Sequence, residues 1–145
     1  MIEGKTIMKD IQYKELEIGS WDCRIVLAMG GTSDNAEYIT EKVFDSEPDQ
    51  KTCQAENTER GAFHYFYGYK GGTLWVKDFP ETPETIAILA HEATHASNHI
   101  LGMSGVIIDT LAMNDEPQAY LVQHLMSEFL KWAWRINSEK NAETA

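Results

Sequence analysis

The chain has 145 residues, 43% of them hydrophobic and 10% aromatic, which suits one domain, residues 1–145, with a real core. Asp and Glu number 23 against 12 Lys and Arg, a formal net charge of −11 that argues against nucleic acid and against an anionic membrane surface as partners. Met1 to Asp10 holds no apolar secretory core, no run reaches the ~18 apolar residues of a membrane span, and Cys23 and Cys53 form no CxxC pair. The expected setting is a reducing cytoplasm.

In chain order, residues 1–10 are expected to be flexible, and a short strand is expected at Tyr13 to Ile18, turning at Gly19-Ser20. Arg24 to Met29 is an apolar run closed by Gly30-Gly31, which reads as a mostly buried strand. Thr32-Ser33-Asp34 offers helix N-cap chemistry, and Ala36, Ile39, Val43 and Phe44 follow at helical spacing. Asp45 to Gly61 turns polar and reads as a mobile surface loop. Ala62 to Tyr69 and Thr73 to Phe79 flank Lys70-Gly71-Gly72, a hairpin signal, with Phe63, Tyr65, Tyr67 and Tyr69 on one face of the first arm. Thr82-Pro83-Glu84 opens a helix expected to run to about Ile100, with Gly102 as its C′ residue. A linker from Met103 to Leu111 leads to Asn114-Asp115-Glu116-Pro117, which starts a long final helix to about Ile136. The tail, 137–145, is polar and expected to be flexible.

The helix that begins at Pro83 carries His91-Glu92-Ala93-Thr94-His95, an HExxH motif. Histidines at i and i+4 stand one above the other on a helix face, so both imidazoles can reach one metal ion. Glu92 is about a third of a turn round, where it can take a proton from a metal-bound water without being a ligand. At ~100° per residue, Ile86, Leu89, Ala93, Ala96 and Ile100 fall on the side away from the histidines. The helix can therefore pack on a sheet while His91 and His95 face a cleft.

A catalytic zinc takes three protein ligands and keeps a fourth position for water. His99 lies too far along the same straight helix, because residues two turns apart are separated by ~12 Å. Asp109 is one possible third ligand, since its linker can fold back; Glu116, at the head of the next helix, is the preferred one. Along that helix Leu121, Leu125, Phe129, Trp132 and Ile136 form a core stripe, with Glu116, Tyr120, Gln123, His124 and Ser127 opposite. Tyr120, one turn beyond Glu116, is a candidate hydrogen-bond donor to an oxyanion or a ligand, and His124 a weaker one.

HExxH followed by Glu116 resembles the gluzincin branch of the zincin metallopeptidases. Trp75 to Pro80, Ile86 to Ala96 and Asp115 to Tyr120 are similar to small zincin-like proteins encoded by bacteriophages. The resemblance covers roughly residues 62 to 130. It implies an α+β, compact minimal zincin-like domain: a small sheet with a β-hairpin packed on the HExxH helix and on a long C-terminal helix. It also implies Zn(2+) held by His91, His95 and Glu116, Glu92 as general base, and a peptide or protein substrate paired along Thr73 to Asp78. The function expected is a zinc metallopeptidase in the host bacterial cytoplasm. A competing reading makes the chain a non-catalytic acidic inhibitor of a host protein on the same scaffold. Neither reading specifies an oligomeric state.

Overall fold

The computed structural model describes residues 10–44, 53–54, 59–108 and 115–144, with backbone alone at 53–54 and 144. The strands are β1 (Ile11–Ile18), β2 (Cys23–Gly30), β3 (Cys53–Gln54), β4 (Gly61–Tyr65) and β5 (Gly71–Val76). The helices are α1 (Ser33–Phe44), α2 (Pro83–Met103) and α3 (Glu116–Thr144). One mixed sheet in the order β1-β2-β5-β4-β3 joins the strands, with β3 a two-residue outer piece. β1 and β2 form an antiparallel hairpin through a short turn at Gly19–Trp21. β2 and β5 run parallel, and α1 lies in the connection between them.

β2 is buried on both sides, which accounts for its continuous apolar run. Its Val26 and Ala28 face α1, in a core with Ala36, Ile39, Phe66 and Trp75. Its Ile25 and Leu27 face the other way, into a larger core with Phe63, Leu74 and the apolar stripes of α2 and α3. Both stripes fall where the helical wheel puts them, with Leu89, Ala93, Ala96 and Ile100 buried from α2 and Leu121, Leu125, Phe129 and Trp132 from α3. Ile86 and Ile136, at the ends of the stripes, are only half-buried. No helix among the described residues is long and apolar enough to cross a membrane.

The expected hairpin forms, with Phe63 opposite Leu74 and His64 opposite Thr73, but its first arm ends at Tyr65. Tyr67 therefore leaves the expected aromatic face and stands 84% exposed in the connection. α2 runs three residues past Ile100, through Gly102 to Met103, and the left-handed residue that ends it is Gly105, at φ 76°. Val106 N–H donates back to Leu101 O at 2.9 Å and closes the helix end. Residues 137–144, expected as a flexible tail, continue α3, exposed through residue 143, since no Gly or Pro interrupts Asn137 to Thr144. The substrate strand expected at Thr73 to Asp78 is overturned: β5 is central, and its main chain already pairs with β2 on one side and β4 on the other. Most of the Asp45 to Gly61 loop, and residues 1–9, lie outside the described residues.

Beneath α1 the sheet carries buried polar side chains. Thr40 Oγ1 and Thr73 Oγ1 are 2.7 Å apart, and His64 Nε2 lies 3.1 Å from Ser33 Oγ. Burial drives the His64 pKa down to about 4, against a weaker upward pull from Asp34. The folded chain thus holds His64 neutral where an unfolded chain, titrating near 6.5, takes a proton. Stability from this group is constant above about pH 6.5 and falls as pH drops to about 4, by roughly 3 kcal/mol over the window. Urea unfolding at pH 7 and pH 4 checks this: the acid loss should be smaller by that amount in His64→Gln than in wild type. Equal losses in the two proteins would assign acid sensitivity to other groups.

Candidate metal and catalytic site

α2 is built to start where it does. The Thr82 hydroxyl accepts from Thr85 N–H at 3.2 Å, the Thr85 hydroxyl accepts from Thr82 N–H at 3.0 Å, and Pro83 occupies the first turn, where it needs no donor. The helix turns its apolar stripe onto β4 and β5, which leaves the opposite face to the HExxH histidines. His91 is 54% exposed, and its Nε2 lies 3.3 Å from His95 Nε2. The rings meet edge to face, with centroids 4.9 Å apart and planes at 78°. Two nitrogens bound to one tetrahedral zinc at ~2.0–2.1 Å are themselves ~3.3 Å apart. A proton shared between the rings spans the same gap.

Glu92 occupies the boundary between the two faces. Its side chain is only 1% exposed, and Oε1 is 4.0 Å from His91 Nε2. Burying a carboxylate costs several kcal/mol even after relaxation, so a helix chosen for packing alone would carry an apolar residue here. A cleft of about 630 Å³ opens beside it, lined by Glu59, Arg60, Glu84, Ala87, Ile88, His91 and Glu92. Across one end, Arg60 pairs with Glu84 from the first turn of α2 and with Asp78 Oδ2 at 3.6 Å.

The other expected site residues are not brought to this cleft. Glu116, Tyr120 and His124 line a separate apolar groove of about 440 Å³ with Ile18, Trp21, Pro117 and Leu121. The reason is rotational. Gln118 is the residue in the first turn of α3 that meets α2, by a hydrogen bond to Asn98 one turn past His95. Glu116, two residues earlier and so ~200° round the helix, is turned out to solvent. Tyr120 is 67% exposed in the same groove, which gives no support to its expected role as an oxyanion donor. Among the described residues no three His, Cys, Asp or Glu side chains are gathered closely enough to hold a metal ion, so the expected cluster of His91, His95 and Glu116 is not assembled. Asp109 lies outside the described residues.

His99, set aside as a ligand because of its distance along the helix, is used elsewhere. Its Nε2–H donates to Tyr69 O at 2.6 Å, and its ring packs on Tyr65 with centroids 4.4 Å apart. Burial lowers its pKa, partly offset by hydrogen bonds to the Tyr69 and Gly71 backbone. Arg60, Glu59 and Glu84 were missed as cleft residues. The only signal for them was Glu84 in the first helical turn, which by itself indicates a helix start rather than a site.

No protein-family model matches the chain, and neither curated proteins nor solved structures give a match to it.

Proposed function

We propose that this chain is a zinc-dependent metallopeptidase on a zincin-like scaffold, with His91 and His95 as two zinc ligands and Glu92 as general base. The observation that carries the reading is the 3.3 Å between the two Nε2 atoms beside a carboxylate that is 1% exposed. When bound, zinc supplies Lewis acidity toward a peptide carbonyl and lowers the pKa of water at the site. Glu92 takes the proton from the attacking water and passes it to the leaving amine, which requires a carboxylate near the histidines but outside the ligand set.

Glu116 is proposed as the third ligand. Its side chain is exposed and so free to change rotamer, and Gln118 already holds the start of α3 against α2 one turn past His95. Purified protein is expected to retain about one equivalent of zinc by elemental analysis, and His91→Ala or His95→Ala should lower affinity by orders of magnitude. Undiminished zinc in both variants would remove the metal site. Glu116→Gln should weaken retention more than Asp109→Asn; the reverse order would assign the third position to Asp109.

Glu92→Gln tests the base directly. The amide is nearly isosteric and carries no buried charge, so zinc content should hold and the melting temperature should stay level or rise. Cleavage of a denatured-protein or peptide library, read by mass spectrometry, should fall ~10²–10⁴-fold. A variant that cleaves like wild type would rule out Glu92 as the base. A wild type with no zinc-dependent cleavage would leave the non-catalytic acidic inhibitor as the better account of the chain.

A further inference from the structure

We infer that Gly61, the first residue of β4, is a positioning residue that seats the Glu92 carboxylate. The inference rests on the general-base role proposed for Glu92. Gly61 lies opposite Val76 in the β4–β5 register, on the part of the sheet that α2 covers. A Cβ built at this position would stand 2.9 Å from Ile88 Cγ2, 3.0 Å from Glu92 Cγ and 3.4 Å from Trp75 O. The first contact is one that side chains do not tolerate, the second is tight enough that Glu92 must give by a few tenths of an ångström, and both are to the helix turn that lines the cleft. Gly61 is absent from the set of glycines with positive φ, so the requirement is for space and not for an unusual backbone.

The crowding acts in one direction. Trp75 O is sheet backbone and cannot yield, whereas Ile88 and Glu92 are side chains on a helix. Adding a methyl group at residue 61 therefore pushes Glu92 away from the sheet and out of its 1% exposed seat. A general base has to lie within ~2.6–3.2 Å of the proton it takes, so a displacement of that kind reaches the chemistry, while neither His91 nor His95 is among the nearest atoms that the added methyl group meets. Alanine costs no φ strain at this site, and an effect of Gly61→Ala would come from displacement alone.

The test uses Gly61→Ala and Gly61→Ala/Ile88→Ala in the full chain. The second variant removes the nearer of the two contacts and protects the experiment against a single variant that does not fold. The first readout needs no activity: carboxylates are labelled with a carbodiimide and an amine in metal-free protein and quantified by peptide mass spectrometry. Glu84, whose side chain is 72% exposed, serves as the internal standard. Glu92 should resist labelling in wild type and label several-fold faster in Gly61→Ala, with Glu84 unchanged. The second readout is kinetic: kcat should fall several-fold in Gly61→Ala with KM little changed, since misplacing a reacting group by ~1 Å can cost ~10²-fold and the crowding demands a shift of a few tenths of an ångström. Zinc content should be unchanged, and the double variant should recover part of both effects. A folded Gly61→Ala with wild-type labelling and kcat would overturn the inference, as would a loss of activity carried by KM or by zinc content. A wild type that cleaves nothing overturns the peptidase reading instead, and labelling then decides on its own whether Gly61 seats Glu92.

Discussion

The seating of α2 on β4 and β5 governs the rest of the candidate site. Successive residues on a helix step round by ~100°, so once Leu89, Ala93, Ala96 and Ile100 are pressed into the core, the neighbouring positions have no choice of surroundings. His91 and His95 must face outward, and Glu92, one step from His91, must fall at the rim of the buried stripe. Burying a Leu or Ile side chain contributes about 1.5–3 kcal/mol, so the stripe can offset the several kcal/mol that a buried carboxylate costs. The same contact that stabilises the fold thus fixes how deep the acid lies and how far it stands from the imidazoles.

Features that depend on neighbours in sequence were legible before the structure. Thr82-Pro83 marks the start of α2 because capping is a matter of three or four consecutive residues; Lys70-Gly71-Gly72 signals the hairpin but not its turn, which falls at 66–70, while both glycines open β5. HExxH is legible for the same reason, as a pattern within little more than one helical turn. Features that depend on partners distant in sequence were not. The parallel pairing of β2 with β5 joins Arg24 to Gly71 across the whole of α1 and the polar loop. The charged residues of the cleft become neighbours only when Glu59 and Arg60, just before β4, meet Glu84 from the start of α2. Gly102 shows how a local rule can miss: it is open to solvent with nothing near its Cβ position, so the helix passes through it and stops at the next glycine, Gly105.

The two faces of the sheet divide the labour. On the α1 face the polar groups are sealed in: His64, Thr40 and Thr73 are fully buried, and Ser33 and Thr40 supply their partners from the helix. These groups act on stability and its dependence on pH. On the α2–α3 face Glu92 sits at the margin of the core, where it borders a cleft. The central place of β5 follows from the same arrangement. A strand shared by both cores has its edges consumed by β2 and β4, and the strand that borders the cleft is β4.

The position of Glu116 bears on the metal reading through energies of very different size. Ordering an exposed glutamate side chain costs up to about 2 kcal/mol of rotamer entropy. Zinc binding at structural sites contributes about 10–16 kcal/mol at neutral pH. The energy balance would therefore favour recruiting a solvent-facing carboxylate at the head of α3 under the proposed reading, provided that the first turn of α3 stays against α2. The Gln118–Asn98 hydrogen bond is what holds it there. The expensive parts of such a site are the ones the fold has already arranged: two imidazoles 3.3 Å apart on one helix face and a carboxylate buried beside them. Those parts cannot be recruited late, because moving them would unseat α2 from the core. The cheap part, a surface side chain on the next helix, can be.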